Sequence, residues 1–383
     1  MIGTDNNTSC VAEEYRYLIY LLRCAIHGQS PEDIPEGLSF GKVYEYAMDH
    51  DVANLAFYAV EKLKHKPDKE LYDLWKLRQD LALVRDMNQS FAREEIADAL
   101  SQRNIPVKEL QGTVLKKLYP SSEYRTMSDL DFIVEKSRLE ECAAILKELG
   151  YRLKKQGDYE IDGVRKPDIF VEIHTDYFSG ISDYARVMGT PFAVSDPTDA
   201  QQATELYLYN ILHTAKHYYT SGCGIRRILD MYYLDLRYGD RIQREYIDKA
   251  LDEVGLSDFA GDLSELARAW FSGIQENGPN DPMSAYIFTS GLHGNRKNYI
   301  EGKIRHSGKE EKVSLGAKTA YIFRRLFPGK ATMTRKFPVL KKWWILYPFF
   351  WIYRIIRMIF GKNRENSVLD LKLILRAEKN ERP

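Results

Sequence analysis

The stretch Arg125-Thr-Met-Ser-Asp-Leu-Asp-Phe-Ile-Val134 constrains this chain most, read with Asp168-Ile-Phe-Val-Glu-Ile-His174. Asp129 and Asp131 stand at the head of a run that continues through Leu130, Phe132, Ile133 and Val134, a composition suited to a buried strand. Side chains on a strand alternate faces, so the two carboxylates project the same way. Held side by side they repel each other and lose hydration, a cost that a cation between them removes. Hard carboxylate oxygens suit Mg²⁺ or Mn²⁺. In the second run Glu172 and His174 again share a face, and a third carboxylate beside a carboxylate pair points to metal-assisted phosphoryl or nucleotidyl transfer. An Asp-x-Asp before an apolar run also arises as a plain turn or cap. The companion Glu172, the upstream Arg125 and the strand context favour the metal reading.

A chain of 383 residues has room for two or three domains and a sizeable core. With 29% charged and 44% hydrophobic residues it reads as globular. The formal net charge of zero hides an asymmetry. Residues 302–364 carry 16 Lys and Arg against only Glu310 and Glu311. Such a segment meets phosphates, anionic membrane surfaces or acidic partners. No strong nucleic-acid signal accompanies it. Cys10, Cys24, Cys142 and Cys223 have neither metal-ligand nor disulfide-framework spacing, so a reducing cytoplasm is expected, and zinc is not. The first residues lack the charged-then-apolar pattern of a signal segment.

Periodicity predicts helices from about Val11 to Leu100, with apolar stripes over Leu18–Ile26, Val43–Leu63 and Leu71–Leu100. The texture changes at Asn104-Ile-Pro-Val107, where a short strand, then Gln111-Gly112 and a short helix to Tyr119 are expected. Arg138–Leu149 reads as a helix closed by Gly150. Tyr151–Lys155 and Asp168–His174 read as strands, with Asp162-Gly163 as a turn between them. Helices return over Gln201–Tyr219, Ile225–Tyr238 and Leu256–Phe271, and Asn277–Pro282 reads as a loop. Near the end, Trp343-Trp-Ile-Leu-Tyr-Pro-Phe-Phe-Trp-Ile-Tyr-Arg-Ile-Ile-Arg-Met-Ile-Phe360 approaches the length of a membrane span, but Pro348, Arg354 and Arg357 interrupt it. Its Trp and Tyr content, flanked by Lys341, Lys342 and Lys362, allows peripheral membrane contact through residues 341–362. Packing of this helix on the protein body is the favoured expectation.

Leu110-Gln-Gly-Thr-Val-Leu-Lys-Lys-Leu-Tyr-Pro120, Arg125–Asp131, Val171-Glu-Ile-His174, His213-Thr-Ala-Lys-His217 and Gly224-Ile-Arg-Arg-Ile-Leu-Asp230 together resemble the bacterial "uncharacterised nucleotidyltransferase" family of the polymerase-beta-like superfamily. The resemblance runs from about Ile105 to Asp235. It implies an α+β fold, a small mixed-sheet nucleotidyltransferase core flanked by N-terminal and C-terminal helical regions. The expected division is 1–103 helical, 104–195 core, 196–310 helical and 311–383 a basic aromatic extension. It also implies transfer of an NMP from an NTP to a hydroxyl acceptor with release of pyrophosphate, using two Mg²⁺ (or Mn²⁺) ions. Asp129, Asp131 and Glu172 match the metal-binding and catalytic carboxylates. Gln111, Gly112, Arg125, Ser128, Lys108 and His174 are the nucleotide-binding candidates. Members often carry Lys-Gly where this chain has Gln111-Gly112, so a cation is missing there, which Lys108, Lys116 or Lys117 would have to replace.

Arg125 serves equally as a phosphate fork or as a salt bridge holding the turn. His213 and His217 share a helix face and could join Asp230 or Asp235 at a metal, though packing between helices is the preferred reading. Arg226, Arg227 and Asp230 are expected to knit the helical domain to the core. Two rival functions remain open: an Asp-x-Asp metal-dependent glycosyltransferase, and a non-catalytic nucleotide-binding partner.

Overall fold

The computed structural model describes residues 13–178, 181–193, 198–273, 282–292, 294, 297–301, 303, 315–360 and 372–374. Cys10, most of the expected loop at 277–282, and Lys362 lie outside the described residues. The chain divides into two compact units. The first comprises residues 1–216 and 224–292, and the second 217–223 and 293–383.

The first unit opens with four helices, α1 (Glu13–Ile26), α2 (Phe40–Asp49), α3 (Ala53–Val60) and the 33-residue α4 (Lys69–Ser101). Ser39 caps α2 by accepting from Lys42 N–H, and Asp68 caps α4 by accepting from Leu71 N–H. The apolar pattern over Val43–Leu63 is not one helix. Asp51 takes a positive φ of 53°, a conformation an α-helix cannot carry, and the chain turns there between α2 and α3.

At the end of α2, His50 is 1% exposed, and its Nδ1 accepts from Ile225 N–H. Burial disfavours the charged imidazolium and holds its pKa down to about 4. The native state therefore resists a proton that the unfolded chain takes up below about pH 6.5. Stability is lost as pH falls from 6.5 towards 4, by up to about 3 kcal/mol from this residue. Denaturant midpoints at pH 7.5 and 4.5 test this. His50→Asn keeps an acceptor near the Nδ1 position and should flatten the acid loss by about that amount. An unchanged pH slope would remove His50 from the account.

The sheet has five strands in the order β1 (Val107–Glu109), β2 (Asp129–Val134), β5 (Ile169–His174), β4 (Glu160–Arg165), β3 (Arg152–Gln156). Only β2 and β5 run parallel; every other pair is antiparallel. The mixed-sheet α+β class expected from the sequence is the observed one. One strand escaped the sequence reading. Asp162-Gly163 is not a turn but lies inside β4, paired with Glu172 and Val171. A Cβ at Gly163 would meet Val171 Cγ1 at 3.0 Å and Tyr151 Cβ at 3.5 Å, so the glycine serves close packing on the sheet's inner face.

That inner face makes the core. Leu130, Phe132, Val134, Ile161, Val171 and Ile173 pack against Ala92, Ile96 and Leu100 of α4 and against α6 (Leu139–Glu148), through Cys142, Ile145 and Leu146. Each of the Leu, Ile, Val and Phe side chains contributes roughly 1.5–3 kcal/mol by leaving water. Gly150 follows α6 with φ +83°, as its expected C-cap role requires. α5 (Gly112–Leu115) follows β1, and α7 (Ser182–Met188) follows β5. The helices α8 (Asp199–Thr220), α9 (Ile225–Tyr238), α10 (Arg244–Glu253), α11 (Ser257–Phe271) and α12 (Pro282–Ser290) follow.

In the second unit, Tyr347–Phe360 is helical, as the sequence predicts. Trp351 meets Phe327 edge-on with centroids 5.5 Å apart, and Phe337 packs on Phe350 at 4.7 Å. Among the described residues no helix is long and apolar enough to cross a membrane.

Candidate active site

Strand alternation sends Asp129 and Asp131 to the outer face of the sheet, opposite the core. Because β2 and β5 are parallel and Asp131 is in register with Glu172, the third carboxylate emerges beside the second. His174, two residues on, completes a group. One ligand atom from each of Asp131, Glu172 and His174 lies within 4.8 Å of the others. His174 Nε2 stands 3.5 Å from Asp131 Oδ1 and 3.4 Å from Glu172 Oε2. Burial works against its charged form. Hydrogen bonds to Asp131 and Glu172 and their negative charges outweigh this and raise its pKa to about 9. The imidazolium is thus a counter-charge seated among the carboxylates.

Asp129 lies on the same face but outside that trio. Burial, then the charges of Asp131 and Glu172, push its carboxyl up to about 7. Asp131 itself is only 6% exposed. Two carboxylates brought together across adjacent strands, with a third on the same face, are the oxygen donors a hard divalent cation takes, so these residues fit one. His174 would join the set as a nitrogen donor only on giving up its proton to the incoming cation.

The other candidates scatter. Lys108 Nζ pairs with Glu205 at 2.8 Å and donates to Tyr177 Oη at 3.2 Å. Gln111, at φ 44°, turns its amide to donate to Tyr209 Oη at 3.0 Å and to His213 Nε2 at 3.3 Å. Ser128 is exposed just before β2. Arg125, a candidate phosphate ligand in the sequence, is instead a buried ion-pair partner. Its Nε and Nη2 donate to the two carboxylate oxygens of Asp230 at 2.6 and 2.8 Å, and Tyr119 Oη joins them at 2.8 Å. His213 stacks on Tyr209, with planes 6° apart. Asp235 accepts from Tyr207 Oη at 2.6 Å. Arg226 donates to Thr126 O at 2.7 Å and Asp51 Oδ2 at 3.1 Å, tying α9 to the approach to β2.

A cavity of about 480 Å³ opens on the same sheet face, one strand over. Lys108, Glu109 and Leu110 line its β1 side, and Leu110 N–H donates to Asp131 O at 3.0 Å. Tyr177, Glu205 and Tyr209 form part of its other wall.

The sequence profile of a family described as "uncharacterised nucleotidyltransferase" matches residues 37–272, well over half of the chain. The chain belongs to this nucleotidyltransferase family. No curated protein sequence matches it. Among solved structures, the solution structure of the antibiotic-resistance factor ANT(2'')-Ia is similar at 15% identity and a TM-score of 0.33. The match covers 47% of this chain and 97% of that one.

Two features of this nucleotidyltransferase were not read from sequence. Lys216 on α8 lies close enough to Glu172 and Asp131 for their charges to act on it, while burial and Arg227 lower its pKa. Its signal was present in the His213-Thr-Ala-Lys-His217 run, one position before the second histidine. The second is the reason for Gly112. A Cβ there would come 2.8 Å from Arg125 Nη1 and 2.9 Å from Met127 Sδ. The glycine admits the buried Arg125–Asp230 pair. Gly112→Ala should therefore destabilise by about 1–3 kcal/mol through overpacking, read as a lower denaturant midpoint at unchanged slope. An unaltered midpoint would show that the short α5 simply moves aside.

Proposed function

We propose that this protein transfers the nucleoside monophosphate of an NTP to a hydroxyl acceptor and releases pyrophosphate. We assign it to the polymerase-beta-like superfamily of such enzymes. The observation that carries the reading is the register of Asp131 with Glu172 across the single parallel strand pair, with Asp129 on the same face. Family membership supports nucleotidyl transfer over the glycosyltransferase alternative.

Asp129, Asp131 and Glu172 would hold one or two Mg²⁺ (or Mn²⁺) ions, which neutralise charge on the reacting phosphate and orient it. Lys216, within electrostatic reach of Glu172 and Asp131, would supply the cation that Gln111 lacks. The acceptor oxygen forms a bond to the α-phosphorus as the bond to the pyrophosphate oxygen breaks. Glu172, the most exposed of the trio at 40%, takes the proton lost by the acceptor hydroxyl. His174 holds Asp131 and Glu172 in place. The cavity beside β1 gives the acceptor room on the same face.

The test is incubation with each labelled NTP, Mg²⁺ or Mn²⁺ and cell extract, with pyrophosphate release and transfer of label as readouts. NTP binding with no release under any condition would favour the non-catalytic reading. Release of UDP from a sugar nucleotide would restore the glycosyltransferase.

A further inference from the structure

Helix α4 carries two apolar faces, and among the described residues only one is buried. Trp75, Ala82, Gln89 and Ile96 recur every seven residues and are buried against the first unit. On the adjoining side Leu74, Leu77, Leu81, Val84, Met87 and Phe91 are between 40% and 71% exposed. Exposed apolar side chains scattered singly are ordinary, but a continuous stripe of this kind marks an interaction surface.

The spacing identifies the geometry of the partner. Leu74, Leu77, Leu81, Val84, Asn88 and Phe91 alternate steps of three and four, the a and d positions of heptads running along about 27 Å of helix. The flanks carry charge in order. Asp73 and Asp80 precede the a positions, at g, and Arg78 and Arg85 follow the d positions, at e. When two copies of this helix lie parallel, each g faces an e five residues on in the other copy. Asp73 then meets Arg78, and Asp80 meets Arg85, in both directions. In the antiparallel arrangement g faces g and e faces e, so aspartates oppose aspartates and arginines oppose arginines. Asn88 at a single a position is the kind of polar insertion that fixes register in two-stranded coils. Asp73 and Asp80 are paired within the helix with Lys69 and Lys76, and Arg78 donates to Tyr44 Oη. The aspartate pairs are solvent-exposed and worth little, so a partner's arginine can displace them, and Arg85 is exposed.

We propose that α4 is a homodimer surface, occupied by a second copy of this chain in a parallel, two-fold coiled coil centred on Leu81 and Val84. The sequence specifies its own complement: an apolar seam, one buried asparagine for register and flanking charges that attract only in the parallel orientation. The site on the outer face of the sheet is complete within each copy, so the dimer and the proposed activity are independent.

The full-length chain tests this by sedimentation velocity and light scattering from about 1 to 100 μM. The expected result is a concentration-dependent dimer. Leu81→Asp, placing a charge in the seam of each copy, should make it monomeric throughout that range. Asp80→Arg alone and Arg85→Asp alone should each weaken the dimer several-fold, and mixing the two variants should restore it as a heterodimer. Val84→Cys under mild oxidation should cross-link the two copies at the same residue, which only the parallel orientation permits. Far-UV circular dichroism and thermal melts establish that each variant remains folded. A wild-type chain monomeric at 100 μM, or a dimer that survives Leu81→Asp, would overturn the proposal. A dimer whose charge variants fail to rescue one another in the mixture would overturn its parallel geometry.

Discussion

Asp131→Asn should lower pyrophosphate release from an NTP by at least about 100- to 1,000-fold, the scale expected when one preorganised charge is removed from a reaction centre. The fold should persist. Asp131 is hemmed in by Asp129, Glu172 and the His174 imidazolium, so neutralising it relieves repulsion on one side and removes an ion-pair partner on the other. The net change in stability should be small beside the change in rate. Asp129→Asn should act in the same direction, since it removes a second carboxylate from the same face of the site. The measurement is a single-turnover assay with labelled NTP, paired with a melting curve for each variant. Full activity in Asp131→Asn would remove the carboxylate pair from the mechanism altogether.

The second large effect is structural. Arg125→Ala leaves the Asp230 carboxylate, 0% exposed, without its bidentate partner. Breaking a buried pair from one side costs about 3–5 kcal/mol, because the orphaned charge stays in the interior. Desolvation opposes both charges, yet the Arg125 guanidinium holds the Asp230 carboxyl below the usual carboxylate range. Asp230→Ala strands the guanidinium in the same way. The double replacement, Arg125→Met with Asp230→Leu, should be far milder than either single change, which is the signature of a pair rather than of two separate contacts. Denaturant unfolding of all three variants measures this. Equal losses in single and double variants would show that Tyr119 and the surrounding packing, not the ion pair, dominate.

Most of the site's geometry was legible in the sequence because it follows from period two. Asp129, Asp131, Glu172 and His174 are two apart within their strands, and a strand face needs no long-range information. Their mutual placement needed one further fact, that β2 and β5 are parallel neighbours in register, which a single sequence does not state. The missing strand β4 escaped for a local reason. Asp-Gly ordinarily favours a turn, and only the contact of Gly163 with Val171 and Tyr151 explains a glycine in mid-strand. Arg125 was ambiguous because a guanidinium fork fits phosphate and carboxylate equally well, and the deciding partner, Asp230, lies 105 residues away. Lys216 was hidden in a helix whose pattern satisfies packing alone.

The parallel pairing has a consequence for how such a site could diversify. The separation between Asp131 and Glu172 is set by the distance between adjacent strands, about 4.8 Å in any sheet, and not by the length or sequence of a loop. The helices that wall the neighbouring cavity contribute none of the three carboxylates. Residues such as Tyr177, Glu205 and Tyr209 can therefore be exchanged for others, and the insertions between elements lengthened, without changing the gauge of the reacting centre. A lineage built on this frame is free to try new acceptors while the spacing between its two strand-borne carboxylates stays constant, and altered specificity should appear first in α8 and last in β2 and β5.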